Sequence, residues 1–242
     1  MKLIAAQISS IPGDIEANIA RHVRVVHSAA GKGADVVVFP ELSITGYDSR
    51  RAGALALLAG DNRFDVFQAL SEQYGILIAI GAPLKGAAGT EIGMLVFQPG
   101  RARAAYSKQL LHADELPFFT PGRCQQVFTQ AGQVIAPAIC YESLQPEHAE
   151  QAAALGARVY LASVAKSERG VRSAYEHPVI ARRHGMTVIM ANCVGPAEDY
   201  MGAGQSAVWN GEGELMCGTD AFQESLVAYD THTYATQVCS PA

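Results

Sequence analysis

The sequence predicts an α/β fold built on mixed rather than purely parallel sheets. Three observations carry this reading. Short apolar runs alternate with segments of helical period from end to end. Gly and Pro fall at the boundaries between them. Residues 94–106 and several late segments read as hairpins, which require antiparallel pairing.

The elements follow in order. Residues 2–7 read as a first strand. Asp14 suits a helix cap, and Ile15, Ile19, Val23 and Val26 then recur at helical spacing until Gly31 and Gly33. Residues 35–39 form a buried strand, apolar after Asp35, that Pro40 stops. Residues 64–73 place Phe64, Phe67 and Leu70 on one helix face, and Gly75 closes it. Residues 76–81 are the next strand. Residues 94–97 and 102–106 flank Pro99-Gly100 as a hairpin. In the second half, residues 134–140 read as a strand despite Pro137, and residues 147–155 as an Ala-rich helix ended by Gly156. Strands at 158–163 and 187–192 flank a helix at 175–184 that Gly185 closes. Residues 205–209, 215–217 and 226–229 look like late hairpin strands. No linker or solenoid period breaks the chain, so one domain over residues 1–242 is expected.

Composition narrows the function. The chain has 242 residues, of which 49% are apolar and 17% charged, enough to bury a substantial core. Net charge is −5, and no basic cluster exceeds Arg182-Arg183, which argues against a nucleic-acid or anionic-membrane surface. The opening apolar run is too brief for a secretory signal, and no stretch reaches the roughly 18 apolar residues of a membrane span. Five Cys without a CxxC pair argue against a disulfide framework or structural zinc. The seven His show no HxH or HxxxH spacing, so metal catalysis lacks support. A cytoplasmic setting is expected, with no cofactor.

Three polar residues end or follow apolar strands: Glu41, Lys108 and Cys140. In open α/β folds, ligands bind beyond the carboxyl ends of strands, so an acid, an amine and a thiol there can share one pocket. A carboxylate can take the thiol proton, and an ammonium can stabilise the oxyanion formed when sulfur attacks a carbonyl or nitrile carbon. Each residue also has an ordinary reading. A Cys at a strand end is more often a small buried hydrophobe, Glu41 can cap a helix, and Lys108 can lie on the surface.

The wording around the three residues resembles the nitrilase superfamily of carbon–nitrogen hydrolases. Phe39-Pro40-Glu41-Leu42-Ser43-Ile44-Thr45-Gly46-Tyr47 looks like its glutamate motif. Tyr106-Ser107-Lys108-Gln109-Leu110, with Glu115 and Phe119-Thr120-Pro121-Gly122, looks like its lysine motif. Ala138-Ile139-Cys140-Tyr141-Glu142 looks like its cysteine motif. The separations fit, with 67 residues from Glu41 to Lys108 and 32 from there to Cys140. Gln7, the Gly13-Asp14 to Asn18 turn, Ala191-Asn192-Cys193-Val194-Gly195 and Gly204-Gln205-Ser206 are further echoes.

The resemblance implies a four-layer α-β-β-α sandwich, usually paired as a homodimer through one helix layer. It implies Cys140 as nucleophile, Glu41 as general base and Lys108, with the Tyr141 N–H, as oxyanion stabiliser. Glu115 matches a second glutamate that orders the pocket and assists proton movement, with a surface acid a stronger alternative for it than for Glu41. The loop from Ser163 through Ala165 to Lys166 commonly shapes the acyl pocket, and here it lacks the Pro and Trp frequent in amidase and carbamoylase branches. Ser163 and Ala165 are therefore candidate substrate contacts, with Tyr47, Phe119 and Tyr141. Aromatic Tyr47, Phe118, Phe119 and Tyr141 suit an apolar acyl group, whereas Arg123 and Lys166 are cations available to a substrate carboxylate. The wording at Ala181-Arg182-Arg183-His184-Gly185 also departs from the common pattern.

The expected activity is cysteine-dependent hydrolysis of a linear amide or N-carbamoyl small molecule through a thioester. Nitrile hydrolysis and acyl transfer to an amine use the same triad and stay open. A non-catalytic binding domain is a distant alternative. Two further matches read as decoys. Gly202-x-Gly204-x-x-Ala207 fits a dinucleotide fingerprint but precedes a strand rather than a helix. Ser163-x-x-Lys166 lacks the companion motifs of penicillin-binding enzymes.

Overall fold

The computed structural model describes residues 1–174 and 177–241. In chain order, the first half comprises β1 (Lys2–Gln7), α1 (Ile15–Gly31), β2 (Val36–Val38), α2 (Ser49–Leu55), α3 (Asp65–Tyr74), β3 (Leu77–Lys85), β4 (Thr90–Phe97) and β5 (Ala104–Ser107). Then come β6 (Phe128–Gln130), β7 (Gln133–Ile139), α4 (Pro146–Ala154), β8 (Val159–Val164), α5 (Glu168–Ala174), α6 (His177–His184) and β9 (Thr187–Asn192). The chain finishes with β10 (Val194–Ala197), β11 (Tyr200–Ala203), β12 (Ala207–Trp209), β13 (Leu215–Gly218), β14 (Ser225–Asp230) and β15 (Thr236–Cys239).

Two mixed sheets result, ordered β15-β14-β1-β2-β3-β4-β5 and β13-β12-β9-β8-β7-β6. Their central strands β1-β2-β3 and β7-β8-β9 are parallel, and antiparallel strands flank them. The period-2 alternation of side chains builds the layers. Leu3, Ala5, Val36 and Val38 face a core shared with Ile135, Ile139, Val159, Leu161 and Ile189 of the other sheet. The alternate residues Ile4, Ala6 and Val37 pack outward against Ile19, Val26, Phe67 and Leu70 of α1 and α3. On the second sheet, Ala136, Ala138, Tyr160 and Val188 pack outward against Ala149 and Ala152 of α4 and Ile180 of α6. Strands buried on both faces are apolar without interruption, which is why residues 36–38 read as a continuous run.

Local signals act as expected at several ends. The Asp14 carboxylate caps α1 by accepting from Ala17 N at 3.0 Å. Pro137 sits inside β7, but β6 pairs only as far as Ile135. The Pro137 carbonyl instead accepts from the Gln125 side chain at 3.2 Å, so its missing N–H faces a side with no strand partner.

Some expectations change. α2, α5 and the β10–β11 hairpin had no periodic apolar signal, because each is short and gives few residues to a core: Ala52, Val171 and Ala203. Residues 226–229 do not continue the hairpins before them: β14 crosses to the first sheet and pairs with β1 and β15. The helix expected at 175–184 begins at His177, and Tyr175 and Glu176 lie outside the described residues. The glycine-rich fingerprint at 202–207 joins two strands, so no helix N-terminus faces it.

Candidate active site

Each candidate side chain follows a strand, and the two sheets hold them together. After β2, the Glu41 N–H donates to Val164 O at 3.3 Å, across to the end of β8. The Ser163 hydroxyl donates to Phe39 O at 2.7 Å and pins the same turn. Gly81 makes room for it, because a Cβ there would lie 2.4 Å from Pro40 O and 2.5 Å from Leu42 N. Lys108, after β5, donates its N–H to Ile92 O at 2.9 Å, and its carbonyl accepts from Gly122 N at 2.7 Å. Cys140 ends β7 and opens a 3-10 turn over residues 140–144. Its φ of 48° lies in the left-handed region, a strained setting that commonly accompanies reactive positions.

The side chains converge. Lys108 Nζ donates to Glu41 Oε1 at 2.9 Å and to Glu115 Oε1 at 2.6 Å. All three groups are buried. Glu115 is fixed further by Tyr47 OH at 3.1 Å and by the His112 N–H at 2.7 Å. Glu41 Oε2 makes no hydrogen bond within the usual limits, and the Cys140 thiol is near enough to act on that carboxylate. Above the cluster opens a cavity of about 560 Å³ lined by Cys140, Glu115, Tyr47, Phe118, Tyr141, Ala165, Lys166 and Tyr200.

Electrostatics favour a neutral thiol over a resting thiolate. Burial, and next the Glu41 charge, push the Cys140 thiol up to about 11, while Lys166 and Lys108 pull the other way. The thiol is therefore protonated at neutral pH and needs a base. Burial also raises Glu41, partly offset by Lys108. Burial works against the Lys108 charge, but Glu41, Cys140 and Glu115 outweigh it and hold the ammonium above its ordinary value.

The family model for carbon-nitrogen hydrolases matches residues 2–237. The chain belongs to the carbon-nitrogen hydrolase family. It is thus a nitrilase-superfamily enzyme, and amidases of that superfamily share its fold. Two structures of the amidase from Nesterenkonia sp. AN1 are similar. One has a TM-score of 0.84 at 24% identity, covering 95% of this chain and 92% of that one. The other, a Glu-to-Gln mutant, has a TM-score of 0.83 at 25% identity, covering 94% and 89%, and carries the acetamide moiety of fluoroacetamide on its active-site cysteine. A curated relative, the glutamine-dependent NAD(+) synthetase of Acinetobacter baylyi, is 27% identical over 238 residues. That match covers 93% of this chain, which spans only 43% of the relative's length.

In this carbon-nitrogen hydrolase, Tyr47, Tyr141 and Ala165 line the cavity with Cys140 and Glu115, while Glu41 and Lys108 lie buried beneath it. Phe119 and Ser163 do not line it. Phe119 is turned into the core between the sheets, leaving its neighbour Phe118 at the cavity. Ser163 spends its hydroxyl on the Phe39 carbonyl. Arg123 is exposed and away from the lining, whereas Lys166 is part of it. Among the described residues no group of three or more His, Cys, Asp or Glu is arranged to hold a metal ion, and no helix is long and apolar enough to cross a membrane.

Glu142, within the cysteine motif, also supports the site. Its carboxylate is buried and accepts from Ile139 N at 2.8 Å, Tyr106 OH at 2.6 Å and Gln109 N at 2.7 Å. It therefore ties the Cys140 turn to the Lys108 loop. Burial raises Glu142 to about 7, with those donors opposing the shift. Asn192 acts similarly: Oδ1 accepts from Lys166 N at 2.8 Å, and Nδ2 donates to Gly204 O at 2.7 Å.

Proposed function

We propose that the chain is a cysteine-dependent amidase, hydrolysing a linear amide or N-carbamoyl small molecule through a thioester. The observation that carries this reading is the buried Lys108 ammonium bound to both Glu41 and Glu115 beneath the cavity that exposes Cys140. Glu41 takes the Cys140 proton as sulfur attacks the carbonyl carbon. Lys108 and the Tyr141 N–H stabilise the resulting oxyanion. That N–H lies in the first turn of the 3-10 segment, where backbone donors have no intrahelical acceptor. The intermediate collapses, the carbon–nitrogen bond breaks, and the leaving nitrogen takes the proton from Glu41. Water then attacks the thioester, giving its proton to Glu41, and the second collapse returns that proton to sulfur while releasing the acid. Glu115 holds the position and charge of Lys108.

The acetamide moiety on the active-site cysteine of the Nesterenkonia amidase variant supports, by similarity, a cysteine nucleophile at this site. The test is ammonia release from short primary amides and N-carbamoyl compounds by wild type and Cys140→Ala. Release by wild type alone is expected, and equal release by both proteins would overturn the reading. A homodimer through a helix layer belongs to the same proposal. Val179 on α6 and Leu155 after α4 are 67% and 48% exposed on that layer. Light scattering at micromolar concentration should give twice the chain mass, and a monomer contradicts it.

A further inference from the structure

One cation lining the cavity is left without a partner by the proposed chemistry. Lys166 follows β8, is 7% exposed and lines the cavity with Cys140. Its backbone is fixed on both sides. The N–H donates to Asn192 Oδ1 at 2.8 Å, and the carbonyl accepts from Ala203 N at 2.9 Å and Asn192 Nδ2 at 3.2 Å. Its stem lies against Gly170, where a Cβ would come within 3.3 Å of Lys166 Cβ. Yet its ammonium makes no hydrogen bond or ion pair among the described residues.

The neighbouring charges are committed elsewhere. Glu41 and Glu115 hold Lys108. Glu198 accepts from the Ser49 hydroxyl at 2.7 Å and pairs with Arg50 at 3.2 Å. Asp114 pairs with His112 at 2.5 Å, and Asp199 is exposed. The Lys166 ammonium therefore offers free donors to the cavity, and an anionic group entering it can accept them in charge-assisted hydrogen bonds. Lys166 and Cys140 line the same cavity, and the ammonium charge favours the thiolate there.

We infer that Lys166 is a carboxylate-binding residue and that the substrate is a short amide whose acyl chain ends in a carboxylate, a monoamide of a dicarboxylic acid. This inference rests on the amidase reading. When ammonia leaves, the leaving group has no room for a second charge, so the carboxylate belongs to the acyl side. The Lys166 ammonium then fixes one end of the acyl chain while Lys108 meets the developing oxyanion at the other.

The test compares isosteric amides in which a carboxylate replaces a methyl: malonamate with propionamide, succinamate with butyramide, glutaramate with valeramide. Calorimetry on Cys140→Ala should show one anionic member binding at least about 30-fold tighter than its neutral partner, the scale of a charge-assisted contact. Adding Lys166→Met or Lys166→Gln should abolish that ratio, and Lys166→Arg should keep most of it. With Cys140 intact, ammonia release should show the same preference. Equal binding in all three pairs overturns the inference, as does a ratio that survives both neutral variants. An equal loss for anionic and neutral amides places Lys166 on the thiol rather than the substrate, and also overturns it. Selective anion binding without ammonia release keeps the carboxylate site and overturns the amidase reading instead.

Discussion

Replacing Lys108 with Met perturbs the charge arrangement while preserving most of the side-chain volume. The lost ammonium lies 2.9 Å from Glu41 Oε1 and 2.6 Å from Glu115 Oε1, all buried. At an effective dielectric of about 20, each contact carries roughly 6 kcal/mol of gross attraction. Most of that offsets the desolvation of three charges. Removing one partner of a buried pair costs about 3–5 kcal/mol, and Lys108→Met is expected to lose about that much at pH 8. The loss depends on pH in a fixed direction. Glu41, already raised by burial, loses the charge that offsets the shift, so its folded pKa rises further above the unfolded value. The favourable contribution is complete below the unfolded pKa and disappears as pH rises through the folded one. The gap to wild type should therefore be small at pH 5 and large at pH 8 in urea unfolding. Activity should fall at least about a thousandfold in kcat/KM, because an oxyanion donor is lost and Glu41 is no longer a free base. The acid limb of the remaining activity should move to higher pH. A stability gap independent of pH, or a kcat/KM within tenfold of wild type, refutes the assignment.

Other perturbations test the supports. Glu142→Gln replaces an acceptor oxygen with a donor facing backbone N–H groups, and should cost about 2–4 kcal/mol and lower kcat more than it raises KM. The same variant checks a pH effect. Glu142 is raised to about 7, so its contribution to wild-type stability falls as pH rises from 4.5 through 7, and unfolding midpoints of Glu142→Gln should lack that slope. Gly81→Ala should lower stability by about 1–3 kcal/mol and cut ammonia release at least tenfold, because its Cβ drives into the Glu41 turn. Gly31→Ala, in open space at the end of α1, should instead be neutral or stabilising by up to about 1 kcal/mol in the same assays. In wild type, kcat/KM should rise with pH along a limb above the ordinary carboxylate range, since burial raises Glu41. A limb at or below that range contradicts Glu41 as the base.

The strands were legible wherever burial on both faces made them apolar throughout, as in residues 36–38 and 159–164. The placement of Glu41, Lys108 and Cys140 after strands was legible for the same reason. What the sequence could not show was which backbone turns bring them together. The Glu41 turn depends on a hydrogen bond to Val164 and on space left by Gly81, both distant in sequence. The left-handed turn at Cys140 depends on a buried acid, Glu142, whose spacing looks like that of any solvated residue. Adjacent aromatics were the harder problem. Phe118 and Phe119 follow a turn, so neither strand nor helix period says which faces the cavity. The structure turns Phe119 inward. Ser163 sits on β8, and its hydroxyl faces the other sheet rather than the cavity.

The most direct measurement is intact-protein mass spectrometry of wild type and Cys140→Ala after brief exposure to fluoroacetamide and, separately, to a turned-over amide, followed by peptide mapping. The account predicts one acetamide adduct on wild type, located at Cys140, a transient acyl adduct at the same residue, and neither on Cys140→Ala. Labelling of another cysteine instead, or acyl transfer that survives in Cys140→Ala, contradicts the claim that Cys140 is the nucleophile.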